Sequence, residues 1–268
     1  AVGFLVYVFN LNNPLFWDDD DWIKANPFVH DFGHLKEIFT QNILSGFGLN
    51  SNYYRPVLLL SFAVNYVIGG IKPLGYHLVS NGFHIANGAL VFCILYLVFK
   101  KRLPAFLAAL LFLIHPLQTE AVTYVSGRGD PMSVFFMLLA LWLFTQSNLW
   151  SSQAHRLARR YWLYLGTSLL SMIAAVLSRE TAVLLPALLM VFFIAFLSRD
   201  YLWRSFKKSV IKPVPYWGVA VAYVILRLTV FNFKNTLNFY SQANDYTQHL
   251  SYRIYTFGHV LIEYFKLI

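Results

Sequence analysis

Long stretches without a charged residue alternate with short charged connections along this chain, and this alternation constrains the fold more than any other feature. The charge-free stretches are residues 73–99, 103–119, 131–155, 161–178, 181–198 and 213–226. Most of them approach or exceed the roughly 17–25 residues that a helix needs to cross a bilayer. Helices are the expected spanning elements because their backbone hydrogen bonds are internal. The sequence therefore predicts an all-α, polytopic membrane helical bundle.

The composition agrees with a membrane protein. Apolar types make up 58% of the 268 residues and charged types 12%. In an ordinary soluble domain about half of the residues are apolar and roughly a quarter are charged. So few charges cannot cover so much apolar surface in water, which excludes a soluble enzyme, a disordered tail and a nucleic-acid-binding domain of the usual kind. The single cysteine, Cys93, excludes an internal disulfide framework and a cysteine-based metal site within this sequence.

The charged residues segregate between alternate connections. Segments 100–102, 156–160 and 199–212 hold 11 of the 21 Lys and Arg residues, and the intervening connections hold ten of the 12 acidic residues. Basic loops remain cytoplasmic. We therefore expect the acidic loops outside, in a periplasm or a lumen. The net charge of +9 is a topology signal rather than a nucleic-acid footprint.

The apolar segment of residues 56–70 is shorter than the roughly 17–25 residues that a helix needs to cross a bilayer. If it crossed, the acidic residues at 18–21 would share a side with the basic residues at 100–102. We therefore expect this segment to lie at the outer surface or to be re-entrant, within a large first outer loop of residues 12–75. That loop should contain short interfacial helices, one of them around 34–39. The whole sequence is predicted to be a single transmembrane domain, part of a longer chain, since 1–11 and 252–268 resemble incomplete apolar helices.

An acidic run, Asp18 to Asp21, directly follows the first apolar segment. Carboxylates this close cannot all ionise freely, so at least one should have a raised pKa. Such a group can act as a general base or bind a divalent cation. The alternative is a solvated loop that supplies a helix N-cap. The flanking Trp17 and Trp22 favour a position at the membrane interface.

A second polar group lies in the stretch at 73–99. His77, Asn81 and His84 recur at spacings of four and three residues, so they share one helix face. Polar groups in a membrane helix normally face the protein interior. Hydrogen bonding between helices is the favoured interpretation. A two-histidine metal site is weak because residues seven apart stand two turns from each other.

Two further connections carry charged residues on the predicted outer side. The first holds His115, Glu120, Arg128 and Asp130, and the second is a tight turn with Arg179 and Glu180. Arginines at this interface, beside carboxylates, can hold a phosphate bidentately. Alternatively, Arg–Glu and Arg–Asp pairs fasten the loops together. Because all these groups converge on one face of the bundle, we expect a functional site there.

Several motifs resemble one family. The segments FWDDDDWIKANPFV, YYRPVLLLSFAVNY, GYHLVSNGFHIANGALVF, HPLQTEAVTYVSGRGDPMS and SRETAVLLP, in this order, are similar to the membrane part of the transmembrane and tetratricopeptide-repeat O-mannosyltransferases and their bacterial relatives. These are polytopic glycosyltransferases of the GT-C class. The resemblance covers roughly residues 14–200. It implies a GT-C-like fold, a lipid-phosphate sugar donor and a catalytic Asp in the first outer loop.

The predicted chemistry follows from these residues. Displacement at the anomeric carbon passes through an oxocarbenium-like state, and a carboxylate must take the proton of the acceptor hydroxyl. Asp18 or Asp19 is the candidate base, matched to the family motif. Candidates for binding the donor phosphate or sugar are Arg128, Arg55, Arg179, His115, Glu120, Asp130 and Glu180. No cofactor is required, although the Asp run leaves room for Mg²⁺ or Mn²⁺ at Asp18 and Asp19.

The predicted function is thus transfer of a sugar, with mannose as one option, from a polyprenyl-phosphate donor to a hydroxyl on a protein or glycan acceptor at the outer membrane face. The expected partners are membrane lipid, the donor, the acceptor and a further membrane-complex subunit, but no nucleic acid. One alternative is a non-catalytic membrane scaffold with a GT-C-like fold. Another is a lipid or solute transporter, which should carry charges near the midplane rather than at one face.

Overall fold

A computed structural model describes residues 2–150, 158–197, 202–233 and 249–266. Helices account for the regular structure in these ranges. The predicted basic residues Arg156 and Arg199 lie outside the described residues. The helices are α1 (Val2–Tyr7), α2 (Leu35–Thr40), α3 (Pro56–Gly69), α4 (Pro73–Phe99), α5 (Arg102–Ile114), α6 (Thr119–Thr123), α7 (Gly129–Trp150), α8 (Ala158–Ser178), α9 (Leu185–Phe192), α10 (Leu202–Ile211), α11 (Val214–Leu228) and α12 (Leu250–Lys266).

Four helical segments among the described residues are long and apolar enough to cross a membrane. They are Pro73–Phe99, Ser126–Asn148, Arg159–Ser178 and Glu180–Leu197. A bent pair, Arg102–Ile114 with Pro116–Thr123, would make a fifth, with a bend of 50° between its two parts. The bend falls at His115, which has an extended backbone because a residue before proline disfavours the helical conformation. The predicted all-α, polytopic bundle is confirmed.

Helix α3 is the short apolar segment of the first loop. Its 14 residues give a length of about 21 Å, less than the roughly 30 Å of a hydrocarbon core. Leu58, Leu59 and Phe62 of α3 pack in one core with Ile23 and Ile38 of the first loop. A helix is present near the expected position 34–39, as α2, and its location at the membrane interface stays a prediction.

Side chains of α4 bind two neighbouring parts of the chain, the segment that follows α1 and the end of α5. The His77 ring bonds the carbonyl oxygen of Asn13 through Nε2 at 3.0 Å. Asn81 exchanges two 3.0 Å hydrogen bonds with Asn10, and His84 bonds the carbonyl of Leu113 at 3.1 Å. The polar face of α4 therefore consists of interhelical hydrogen bonds, the interpretation that the sequence favours.

Candidate functional site

The Asp19 carboxylate connects the first loop to the start of α7. It has no exposed surface. Its Oδ1 accepts hydrogen bonds from the backbone N–H of Ser126 at 2.7 Å and from the Ser126 hydroxyl at 2.5 Å. Its Oδ2 accepts the N–H of Phe16 at 3.1 Å. Burial raises the pKa of Asp19, and these hydrogen bonds oppose that shift because they favour the charged form. Asp19 therefore holds the first loop at Phe16 against Ser126 at the start of α7.

The neighbouring Asp18 has the opposite environment, since its side chain is exposed. The Asp18 N–H donates to the Tyr124 hydroxyl at 3.2 Å. Burial raises the pKa of Tyr124, and a hydrogen bond with Asp18 adds to the effect. Trp17, just before, adopts a left-handed backbone with φ of 55° and is 79% exposed. A non-glycine residue in this region is strained, and such strain concentrates at functional sites.

Arg128 is entirely buried. Its Nε donates to the Ser80 hydroxyl at 3.2 Å. One terminal nitrogen donates to the side-chain oxygens of Asn65 at 2.7 Å and Ser61 at 3.1 Å, and the other donates to the Tyr76 carbonyl at 2.8 Å. The guanidinium therefore joins α3 to α4 through neutral acceptors. In this arrangement each of its three nitrogens donates to a protein atom.

The other two candidate arginines lie in ion pairs. Arg55 forms a bidentate pair with Glu180, with Nε–Oε2 of 3.0 Å and Nη2–Oε1 of 2.7 Å. Arg179 pairs with Asp130. These pairs join α3, α7 and the turn after α8, as the loop-fastening alternative predicts. The Arg179 side chain is 30% exposed and the Arg55 side chain only 9%, so Arg179 is the more accessible cation.

The remaining candidates, His115 and Glu120, form no ion pair among the described residues. His115 caps the short turn at Pro116–Gln118 by accepting the Leu117 N–H on its Nδ1 at 3.3 Å. Glu120 is exposed and acts electrostatically on Asp130. In the described part of the chain, no group of three His, Cys, Asp or Glu side chains converges as metal ligands. Binding of Mg²⁺ or Mn²⁺ by Asp18 and Asp19 stays a prediction.

The sequence reasoning missed the neutral partners of these charged groups. Ser61 and Asn65 both bind Arg128. They stand four residues apart in an otherwise apolar segment, so their common helix face was a usable signal. Ser126, which holds Asp19, lies inside a motif quoted for the family resemblance. No sequence pattern singles out Tyr124.

The described part of the molecule thus has the character of a polytopic helical membrane protein with a polar surface at one end of its bundle. The chain is 33% identical over 187 residues to the protein O-mannosyl-transferase Tmtc1 of Drosophila melanogaster, which covers 68% of this chain and 21% of the relative. It is 36% identical over 136 residues to mouse TMTC3, covering 49% of this chain and 15% of the relative. Human TMTC2 is 34% identical to this chain over 148 residues, which cover 53% of this chain and 17% of the relative.

These relatives confirm the resemblance to the transmembrane and tetratricopeptide-repeat O-mannosyltransferases. The chain spans about a fifth or less of the length of each of these relatives. No family model matches the sequence. No solved structure matches it.

Proposed function

We propose that this chain forms the membrane part of a glycosyltransferase that moves mannose from a polyprenyl-phosphate donor to a hydroxyl of a protein acceptor. The names of the relatives support mannose and a protein acceptor. The observation that carries the proposal is the convergence of the first loop, the start of α7 and the turn after α8 on one polar surface. Asp19–Ser126, Arg55–Glu180 and Arg179–Asp130 contacts hold it together.

We assign the base to Asp18 and a positioning role to Asp19. The acceptor oxygen attacks the anomeric carbon while a carboxylate takes the hydroxyl proton, and the bond from that carbon to the phosphate oxygen breaks. A base must come within about 3 Å of the hydroxyl. The exposed Asp18 is open to an acceptor hydroxyl, whereas Asp19 is enclosed and its oxygens already accept hydrogen bonds from Ser126 and Phe16.

The leaving polyprenyl phosphate gains negative charge, which a nearby cation stabilises. Among the predicted arginines, Arg179 is best placed because it is partly exposed. A donor phosphate could replace Asp130 as the partner of Arg179. Arg55, Glu180, Glu120 and His115 would shape the surroundings, and Arg128 would support them from below. The acidic end of the bundle then faces outward, where a lipid donor presents its phosphate at the interface.

The test is transfer by the purified full-length protein in nanodiscs. Radiolabelled mannose is supplied either as polyprenyl-phosphate mannose or as a nucleotide sugar, with a Ser/Thr-rich peptide as acceptor. The proposal predicts labelled peptide from the lipid donor alone. Equal labelling from the nucleotide sugar would contradict the donor assignment, and no labelling from either would contradict the activity.

A membrane scaffold is the second candidate. The observation in its favour is that Arg128, Arg55 and Arg179 each have protein partners, as expected where charged residues only fasten loops. A folded protein that transfers no mannose from either donor would favour this function.

A further inference from the structure

Helix α10 (Leu202–Ile211) lies in the chain between the span Glu180–Leu197 and the short apolar helix α11. Its sequence, LWRSFKKSVI, contains three basic residues and no acidic residue. Its 10 residues give a length of about 15 Å, which is half of the roughly 30 Å of a hydrocarbon core. A helix so short and so basic does not cross a membrane, so its place relative to the bilayer has to be found from its contacts.

Lys212, the residue directly after α10, fixes this helix at one end of the bundle. Its ammonium group donates to Oδ1 of Asn148 and lies 5.8 Å from the centre of the Phe193 ring. Asn148 is the last residue of the span Ser126–Asn148, and Phe193 begins the π turn that ends the span Glu180–Leu197. Helix α10 also packs against α9 and that π turn. It therefore lies where two spans end, which is the level of a bilayer surface.

The side chains of α10 from Phe206 onwards point in different directions. Ser209 is fully buried against the bundle. Phe206 is 48% exposed and Val210 is 37% exposed, and they share one helix face because they stand four residues apart. Lys208 is exposed and stands two residues from each of them, on the opposite side of the helix. Lys207, which is also exposed, flanks the apolar face. Helix α10 is thus amphipathic.

These two faces together match the surface of a bilayer. Phe206 and Val210 are stable among acyl chains, whereas lysine side chains extend along an apolar surface and keep their ammonium groups at the headgroups. The charge then selects among headgroups. Segment 199–212 holds five basic residues and one acidic residue, and an excess of positive charge beside a membrane attracts anionic lipid.

Helix α2 in the first loop provides a contrast. Leu35 is 41% exposed and Phe39 is 38% exposed, and these residues also share one helix face. However, residues 31–40 hold two acidic residues and one lysine. The two helices have an exposed apolar face in common, and α10 differs from α2 by its excess of positive charge.

We propose that α10 lies in the plane of the membrane interface and binds anionic phospholipids, with Phe206 and Val210 among the acyl chains and Lys207 and Lys208 at the headgroups. The partner is the bilayer surface itself. The inference does not rest on the proposed function, because α10 and the candidate site lie at different ends of one span. Ser126, at the start of the span Ser126–Asn148, bonds Asp19, whereas its last residue bonds the lysine after α10.

The first test locates α10 by spin labelling of the full-length protein in nanodiscs of equimolar phosphatidylcholine and phosphatidylserine. Single labels replace Phe206, Lys207, Lys208 or Val210 in a variant whose native cysteines, Cys93 among them, are changed to serine. Labels at 206 and 210 should be more accessible to oxygen, which concentrates in hydrocarbon. The label at 208 should be more accessible to a water-soluble nickel chelate.

Two outcomes of this labelling would overturn the proposal. High accessibility to the nickel chelate at all four positions would place α10 in water. Shielding of positions 206 and 210 from both reagents would show that protein, and not lipid, covers the apolar face. Because each label reports on its own position, the result does not depend on a variant that fails to fold.

The second test measures lipid selectivity, from the electron spin resonance spectra of spin-labelled phosphatidylserine and phosphatidylcholine at the surface of the full-length protein. Lys207→Gln/Lys208→Gln should lower the preference for phosphatidylserine at least about twofold. The matched control, Lys36→Gln/Lys72→Gln, removes the same charge from two exposed lysines of the first loop and should leave the preference unchanged. An equal loss in both double variants, or no loss in Lys207→Gln/Lys208→Gln, would overturn the binding of anionic lipid by α10.

Salt distinguishes an effect of charge from an effect of shape. At about 1 M NaCl the preference of the wild type should fall to that of Lys207→Gln/Lys208→Gln, because salt screens exposed charges. A difference between the two proteins that persists at this salt concentration would overturn the role of the lysines. Mannose transfer measured on the same variants reports on the proposed function separately, since a loss of lipid preference with unchanged transfer supports the binding surface and leaves the enzyme intact.

Discussion

The region around α4 and the region between α8 and α11 use buried polar groups differently. Around α4, Asn81, His84 and Arg128 bind atoms of neighbouring elements. His77 and Asn87 also make such bonds, although each retains one unpaired side-chain atom. At α11, the Tyr223 hydroxyl makes none among the described residues. Polar side chains around α4 thus fasten neighbouring elements to one another, whereas the buried Tyr223 hydroxyl fastens nothing in the described part of the chain.

The largest effect that we expect comes from Arg128→Ala. The change leaves acceptors on Ser61, Asn65, Tyr76 and Ser80 without a donor in a buried place. Each unsatisfied buried group costs about 1–3 kcal/mol, and relaxation of the structure relieves part of that cost. The free energy of unfolding should therefore fall by about 4 kcal/mol. Thermal unfolding in detergent measures it. The control, Arg227→Ala, should cost less than about 1 kcal/mol because its partners reach solvent. Similar melting temperatures for both variants would break the comparison.

The next effect tests the close approach of α4 and α5. A Cβ at Gly88 would lie 2.5 Å from Cδ2 of Leu113, whereas a Cβ at Gly82 in the same helix meets nothing within 4 Å. Gly88→Ala should therefore destabilise by about 1–3 kcal/mol through overpacking. Gly82→Ala should stabilise by up to about 1 kcal/mol, because alanine favours the helix. Thermal unfolding of the two variants compares them directly, and equal shifts would show that the helices do not touch at Gly88.

The smallest effect is the pH dependence from Asp19. Its pKa is raised in the folded protein, so the unfolded chain releases this proton first as pH rises. The folded state should therefore lose stability as the pH rises from about 4, the pKa of an Asp in the unfolded chain, to the raised pKa of Asp19 in the folded protein, and then level off. Asp19→Asn should lack this component, while the exposed Asp18→Asn should retain it. Unfolding measured from pH 4 to 8 tests this; a wild type that gains stability over that interval relative to Asp19→Asn would refute it.

Much of the helical framework is predictable from the charge-free stretches. Helix α4 matches the 73–99 stretch, and α8 ends at Ser178 as expected. Local backbone rules explain the departures. The 103–119 stretch breaks at His115 because Pro116 follows. The 181–198 stretch is divided into a 3₁₀ turn, α9 and a π turn, which hydropathy alone does not distinguish.

The candidate site is less predictable because its roles depend on burial. Asp18 and Asp19 are adjacent and identical in type, yet one is exposed and the other fully enclosed. Arg128 and Arg227 are likewise the same residue type, but only the fold decides that the first is fully buried among neutral partners and that the second bonds the exposed Asn52. Sequence spacing identifies the chemical groups, but which atoms meet depends on contacts between residues up to 175 positions apart.

The most direct measurement compares mannose transfer by wild type, Asp18→Asn and Asp20→Asn in the full-length protein. Asp20 is an exposed member of the same run that pairs with Lys24 at 2.5 Å, so its variant is a matched control for lost charge. We expect Asp18→Asn to lower turnover about a hundredfold or more, since a general base raises the rate by about 10²–10⁴-fold. Its melting temperature should be unchanged. Asp20→Asn should retain wild-type turnover. Undiminished transfer by Asp18→Asn, or an equal loss in both variants, would contradict the assignment of Asp18 as the base.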